Sequence, residues 1–283
     1  MSGILSFLAR RFVAGETFEE SLKAVRALNA KNITTTLDIL GENVKNQQEA
    51  TAKADAYIEV LEKIHNSGVN SHVSIKLTQM GLDVSDDFCY ENVSRIFEKA
   101  KGYSNFVRVD MEGSDYTQRT LDLVFRWHKE YINMGVVIQA MLYRSEDDIR
   151  ELNKNKIRVR LCKGAYKEPS SIAFQDKRDV NKNYIKLMKL LLSEGEYPAI
   201  ATHDENMIQA TFDYATEKGI QPDKYEFQML YGIRRQLQEK IAEDGYRMRV
   251  YVPFGTSWFP YYYRRLRERK ENTLFLLKNI LKK

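Results

Sequence analysis

Apolar and polar positions alternate in eight short runs along the chain, at 34–40, 72–78, 106–112, 136–142, 157–163, 198–204, 225–231 and 248–254. Period-two alternation of this length predicts β-strands. Between the runs lie stretches with helical spacing. Phe18, Leu22, Val25 and Leu28 predict a helix within 1–30, and Ala54, Ile58, Leu61 and Ile64 one over 45–66. Further helices are expected over 86–101, 117–133, from 145, over 179–194, 204–218 and 232–243, and from about 260 towards 282. Gly68, Gly102, Gly135, Gly195, Gly219 and Gly245 read as their terminators. Strand–helix alternation repeated eight times predicts a closed parallel (βα)8 barrel of the TIM type. N-terminal helices precede it, and a C-terminal helix is left to cover one end.

The faces of the strands carry the next inference. Ser74 and Lys76 share one face of the second run; Arg108, Asp110 and Glu112 share one of the third. Arg158, Arg160 and Cys162 do so in the fifth, Glu226 and Gln228 in the seventh, and Arg247, Arg249 and Tyr251 in the eighth. The opposite faces are apolar and must meet the helices, so the charged faces point inward. Buried charges persist only when paired and hydrogen-bonded. An ion-pair web low in the barrel and a polar ligand at its top would both meet that condition. Active sites of such barrels lie where strands end, which singles out Lys76, Asp110, Gln139, Arg160, Lys163, His203, Gln228 and Tyr251.

Composition narrows the classes. A chain of 283 residues suits one catalytic α/β domain, with 1–30 as a helical lead-in and 31–283 as the barrel. The net charge of +5 comes from 44 basic and 39 acidic residues interspersed along the chain, which disfavours a nucleic-acid-binding stripe. No run reaches the length of a membrane span. The basic residues near the start follow the apolar patch, so no secretory signal is expected. Cys89 and Cys162 are distant and read as reduced cytosolic thiols. The histidines lack metal-ligand spacing, so no metal is expected. No Gly-x-Gly-x-x-Gly or Walker loop is present, so any nucleotide is held in another way.

Several segments resemble one family when taken in order. They are Ser74-Ile-Lys-Leu-Thr78, Val109-Asp-Met-Glu112, Arg160-Leu-Cys-Lys-Gly-Ala-Tyr166, Ala201-Thr-His-Asp204, Glu226-Phe-Gln-Met-Leu-Tyr-Gly232, Tyr251-Val-Pro-Phe-Gly255 and Tyr261-Tyr-Tyr-Arg-Arg-Leu-Arg-Glu268. The chain from about residue 30 to its end resembles the monofunctional bacterial proline dehydrogenases. The third and last segments are the most specific. The resemblance implies a distorted barrel that binds FAD without a Rossmann fold. It also implies oxidation of L-proline to Δ1-pyrroline-5-carboxylate by hydride transfer to flavin N5, the first step of proline catabolism. Electrons would pass to a membrane quinone, reached from the cytoplasm by peripheral contact. Cys162 departs from the valine usual at its position.

By the same resemblance, Lys76, Arg264 and Arg265 hold the proline carboxylate, with Glu268 on the face of Arg265. Tyr166, Leu230, Tyr251 and Tyr261 line the ring, and Tyr251 would crowd a ring hydroxyl. Asp110 and Arg160 are the catalytic pair, Arg160 near the flavin. Met111, Gln139, Lys163, Gly164, Ala165, Thr202, His203 and Gln228 fall at flavin-binding positions. The residues alone leave two other readings open. Lys76 or Lys163 could form a Schiff base, as in aldolases. Alternatively, an amphipathic C-terminal helix through 274–281 could make the chain a non-catalytic membrane- or partner-binding module.

Overall fold

The computed structural model describes residues 11–41 and 44–267, the side chains of 264–267 excepted. Helix α1 (Phe18–Asn29) precedes the barrel. There follow β1 (Thr34–Ile39), α2 (Gln47–Ser67), β2 (Ser71–Ile75), α3 (Asp86–Gly102), β3 (Val107–Val109), α4 (Ser114–His128), β4 (Met134–Gln139) and α5 (Ser145–Lys154). The chain continues with β5 (Arg158–Cys162), α6 (Lys177–Glu194), β6 (Ala199–Ala201), α7 (Glu205–Glu217), β7 (Glu226–Leu230), α8 (Arg235–Glu243), β8 (Met248–Phe254) and α9 (Trp258–Arg267). Each strand pairs in parallel with its successor, and β8 pairs back onto β1, so the sheet closes.

Sequence chemistry fixes most helix starts. Thr17, Asn46, Ser85, Asp176 and Asp204 cap α1, α2, α3, α6 and α7 by accepting an amide of the first turn. The apolar strand faces pack on the helices in one continuous core around Leu37, Val73, Ile75, Val109, Leu161, Phe227 and Val252. Helix α9 lies over the carboxyl ends of the strands, where Tyr261 and Tyr262 cluster with Leu40 and Ile233.

Two helices depart furthest from the sequence reading. Helix α4 starts and stops before the expected 117–133. Gly135 terminates nothing. It is the second residue of β4, and a Cβ there would collide with the Arg108 guanidinium and the Arg158 carbonyl. The glycine makes room inside the barrel for a buried arginine. Helix α8 begins at Arg235 rather than 232, because Arg234 before it adopts a left-handed conformation.

Candidate active site

The lower barrel holds a charged layer. Arg249 Nε donates to both Glu226 carboxylate oxygens at 2.9 and 3.1 Å, and its Nη1 donates to the Thr35 carbonyl at 2.7 Å. Gln228 donates to the same carboxylate. Burial pushes Glu226 upward, but Arg249 outweighs it and holds the carboxyl below its ordinary value. Arg108 shares the field of Glu226 but is held by main-chain carbonyls. Its Nη1 donates to the Val136 and Arg158 carbonyls, at 3.2 and 2.6 Å.

At the carboxyl ends of the strands a second cluster forms. Asp110 Oδ1 accepts from Ser74 Oγ at 2.7 Å and Arg160 Nη1 at 2.9 Å. Its Oδ2 accepts from Tyr251 at 2.8 Å and Lys76 Nζ at 3.3 Å. Lys76 Nζ also donates to both oxygens of Asp38 at 3.1 Å. Residues from β1, β2, β5 and β8 thus converge on the end of β3. Burial opposes ionisation of Asp110, but Lys76 and Arg160 prevail and keep it below the ordinary carboxylate value. Burial instead raises Asp38; Lys76 offsets this only in part, and Asp110 adds repulsion. Burial works against the Lys76 charge as well, yet Asp38 and its neighbours hold the ammonium well above its ordinary value. Burial, reinforced by Asp110 and Asp38, keeps Tyr251 protonated.

This arrangement bears directly on chemistry. A carboxylate offers about four acceptor sites, and the four donors around Asp110 take them. Asp110 therefore orients its neighbours and is poorly placed to take a proton. Two cations, Lys76 and Arg160, face two carboxylates, Asp38 and Asp110, so the cluster is balanced before any anionic ligand arrives. A Schiff-base lysine must be neutral to attack, and Lys76 is held charged. Lys163 is ion-paired with Asp204 at 2.6 Å.

Beside this cluster, polar groups form an arc over the ends of β4 to β7. Gln139 Nε2 donates to the Glu112 carbonyl at 2.9 Å. Thr202 Oγ1 accepts the Asp204 amide at 3.1 Å. His203 Nε2 accepts the Leu230 amide at 2.9 Å, so that nitrogen carries no proton. Gly164 has φ +112°, and a Cβ there would strike Met141, so only glycine suits the turn that presents Lys163 and Ala165. Arg160 Nε is buried and meets no partner among the described residues.

The remaining expected residues fall into three places. Leu230 packs with Tyr261 under α9. Tyr166 packs with Met141 and Leu142 on the opposite rim. Met111 is buried in the main core next to Asp110. Arg264 and Arg265 lie in α9, on the backbone that follows Tyr261 and Tyr262; their side chains, and Glu268 altogether, lie outside the described residues. So do 1–10 of the N-terminal segment and the far part of the C-terminal helix.

Sequence reasoning missed Asp38 and its support. Tyr57 donates to Asp38 Oδ1 at 3.2 Å and accepts the Ile39 amide at 3.1 Å. The available signal was parity: Asp38 shares its strand face with Thr34 and Thr36, and is the one carboxylate in that run.

With this geometry in place, the family profile for proline dehydrogenase matches residues 21–278. The chain belongs to the proline dehydrogenase family. Proline dehydrogenase 1 of Bacillus subtilis (strain 168) is 44% identical over 275 residues, which cover 97% of this chain and 91% of that relative. The proline dehydrogenase of Deinococcus radiodurans is 41% identical over 282 residues, covering 97% and 90%. A crystal structure of proline utilization A from Bdellovibrio bacteriovorus inactivated by N-propargylglycine matches with TM-score 0.87 at 27% identity. That match covers 93% of this chain and 32% of the longer one, so this chain spans about a third of that protein. Proline dehydrogenases are flavin-dependent oxidoreductases acting on CH–NH groups, and the chain is an enzyme of that class.

Proposed function

We propose that the chain oxidises L-proline to Δ1-pyrroline-5-carboxylate with FAD as its cofactor and a membrane quinone as final acceptor. The observation that carries this reading is the cluster at the barrel's carboxyl end, found in a chain of the proline dehydrogenase family. The donor set fits a flavin. Gln139, Lys163, Gly164, Ala165, Thr202, His203 and Gln228 would hold it, with Met111 close by, and the buried Arg160 Nε is a donor still to be used. Bound FAD would supply a hydride acceptor, and Arg160 would place positive charge beside it.

The chain's own groups bind and orient. The charge balance around Lys76 means that a substrate carboxylate needs further cations, and Arg264 and Arg265 on α9 supply them as a bidentate clamp. Glu268 would steady Arg265. Tyr166, Leu230, Tyr251 and Tyr261 would wall the ring and exclude water. Asp110 is saturated and Asp38 is engaged by Lys76 and Tyr57, so neither carboxylate of the described cluster is free to act as a general base. The substrate amine would therefore deprotonate before hydride leaves, and the rate should rise with pH towards the amine's own pKa.

No helix among the described residues is long and apolar enough to cross a membrane. Quinone would then be met by peripheral contact from the cytoplasmic side. The test is product formation from L-proline with a soluble quinone analogue. A product lighter than proline by one hydride and one proton supports the reading, and unchanged proline refutes it.

A further inference from the structure

Helix α4 starts after Gly113, which has no side chain to cap it. Its first amide is met all the same. Glu168, 54 residues further on, accepts the Ser114 amide at 2.8 Å and also accepts from the Ser114 hydroxyl. A carboxylate there satisfies an orphan N–H and lies at the positive end of the helix dipole. Five other helices use the residue just before their own first turn, so a cap reaching in from a distant loop needs a separate reason.

The loop that provides it joins β5 to α6. It leaves the barrel at Lys163, turns at Gly164 against Met141, and carries Ala165 and Tyr166 before Glu168. Its far half is fastened independently. Leu142 bridges to Ala173, the Phe174 amide donates to the Met141 carbonyl at 2.9 Å, and Tyr143 donates to the Ser170 carbonyl at 3.0 Å. Between those anchors, the Glu168 side chain ties the loop to α4. The α4 start also adjoins Tyr166: a Cβ on Gly113 would stand 3.8 Å from Glu168 Oε1 and 3.9 Å from the Tyr166 ring.

We propose that Glu168 is a positioning residue for the substrate pocket, holding Tyr166 in place by docking on the amino end of α4. The proposal rests on the assignment of Tyr166 to the proline pocket made above. Loss of the tether lets the ring drift and weakens its contact with the proline ring, which is binding shared by ground and transition states.

The test compares Glu168→Ala, Glu168→Gln and Ser114→Ala in the flavin-loaded enzyme. Glu168→Ala is expected to raise KM for L-proline about tenfold with kcat little changed. Glu168→Gln keeps an acceptor for the Ser114 amide and should restore most of the loss. Ser114→Ala, which keeps that amide, should raise KM less. A cap with only a structural role would lower the melting temperature and leave KM and kcat at wild-type values; that result overturns the proposal. Should Glu168→Ala fail to fold, wild-type KM in Ser114→Ala overturns it equally. Wild-type enzyme separates the two questions. Flavin that L-proline does not reduce removes the substrate assignment itself, whereas normal reduction with wild-type KM in Glu168→Ala and Ser114→Ala removes only the role of Glu168.

Discussion

Asp110 gathers donors from β2, β5 and β8, and this makes it the residue on which the site depends most. Asp110→Ala would leave Lys76 and Arg160 facing one carboxylate instead of two. Removing one partner from a buried ionic cluster costs about 3–5 kcal/mol, and urea denaturation should show a loss of that size. Asp38→Asn is a gentler probe. It weakens the charge-assisted bonds that hold Lys76, each worth about 1.5–3 kcal/mol, and should raise KM for L-proline while leaving the flavin spectrum unchanged. Much of this cluster was legible as strand parity: Lys76, Asp110, Arg160 and Tyr251 each lie on the polar face of an alternating run. Asp38 escaped notice because a lone carboxylate behind three threonines looks like an ordinary strand residue. Glu168 escaped because its loop has no periodicity, and a cap acting across 54 residues leaves no local signal.

Strands and helices follow from patterning, and their errors have physical causes. Glycine signals helix ends, but it also serves wherever another group needs the space of a Cβ. Gly135 is of the second kind, so the helix before β4 was expected to run too far. Gly135→Ala would force the Arg108 guanidinium out of place, and overpacking of this kind costs about 1–3 kcal/mol; thermal unfolding would register it. Helix α9 joins the rest through a small separate cluster in which Tyr262 is 2% exposed. Tyr262→Ala removes its main contact, worth about 3 kcal/mol by analogy with other buried aromatics. Because α9 carries Arg264 and Arg265, the expected outcome is a raised KM for proline and faster proteolysis near residue 258, with the barrel still folded.

Over the whole molecule, the buried charges should shape stability against pH. Asp110 and Glu226 lie below their ordinary values of 3.8 and 4.5. Their contribution is fully present above the unfolded-state values and is lost as pH falls through the lower folded-state ones. Asp38, raised by burial, opposes them by taking its proton earlier in the folded protein. His72, held well below its ordinary 6.5 by burial and then by Arg249 and Arg108, adds a loss of stability once pH falls below that value, so the urea midpoint should begin to fall below about pH 6.5 and fall further below about pH 4. The closed barrel was the most legible feature of all, because eight repeats of one pattern leave little choice of topology. The proposed carboxylate clamp is the least legible from residues alone, since an Arg-Arg pair on a basic helix reads equally well as solvated surface.

The central claim is that this barrel holds a flavin that L-proline reduces. Its most direct test is the visible spectrum of the purified protein before and after anaerobic addition of L-proline. The account predicts a yellow protein whose flavin absorbance bleaches on addition. A protein that stays colourless even with added FAD, or a yellow one that proline leaves unchanged, would contradict it.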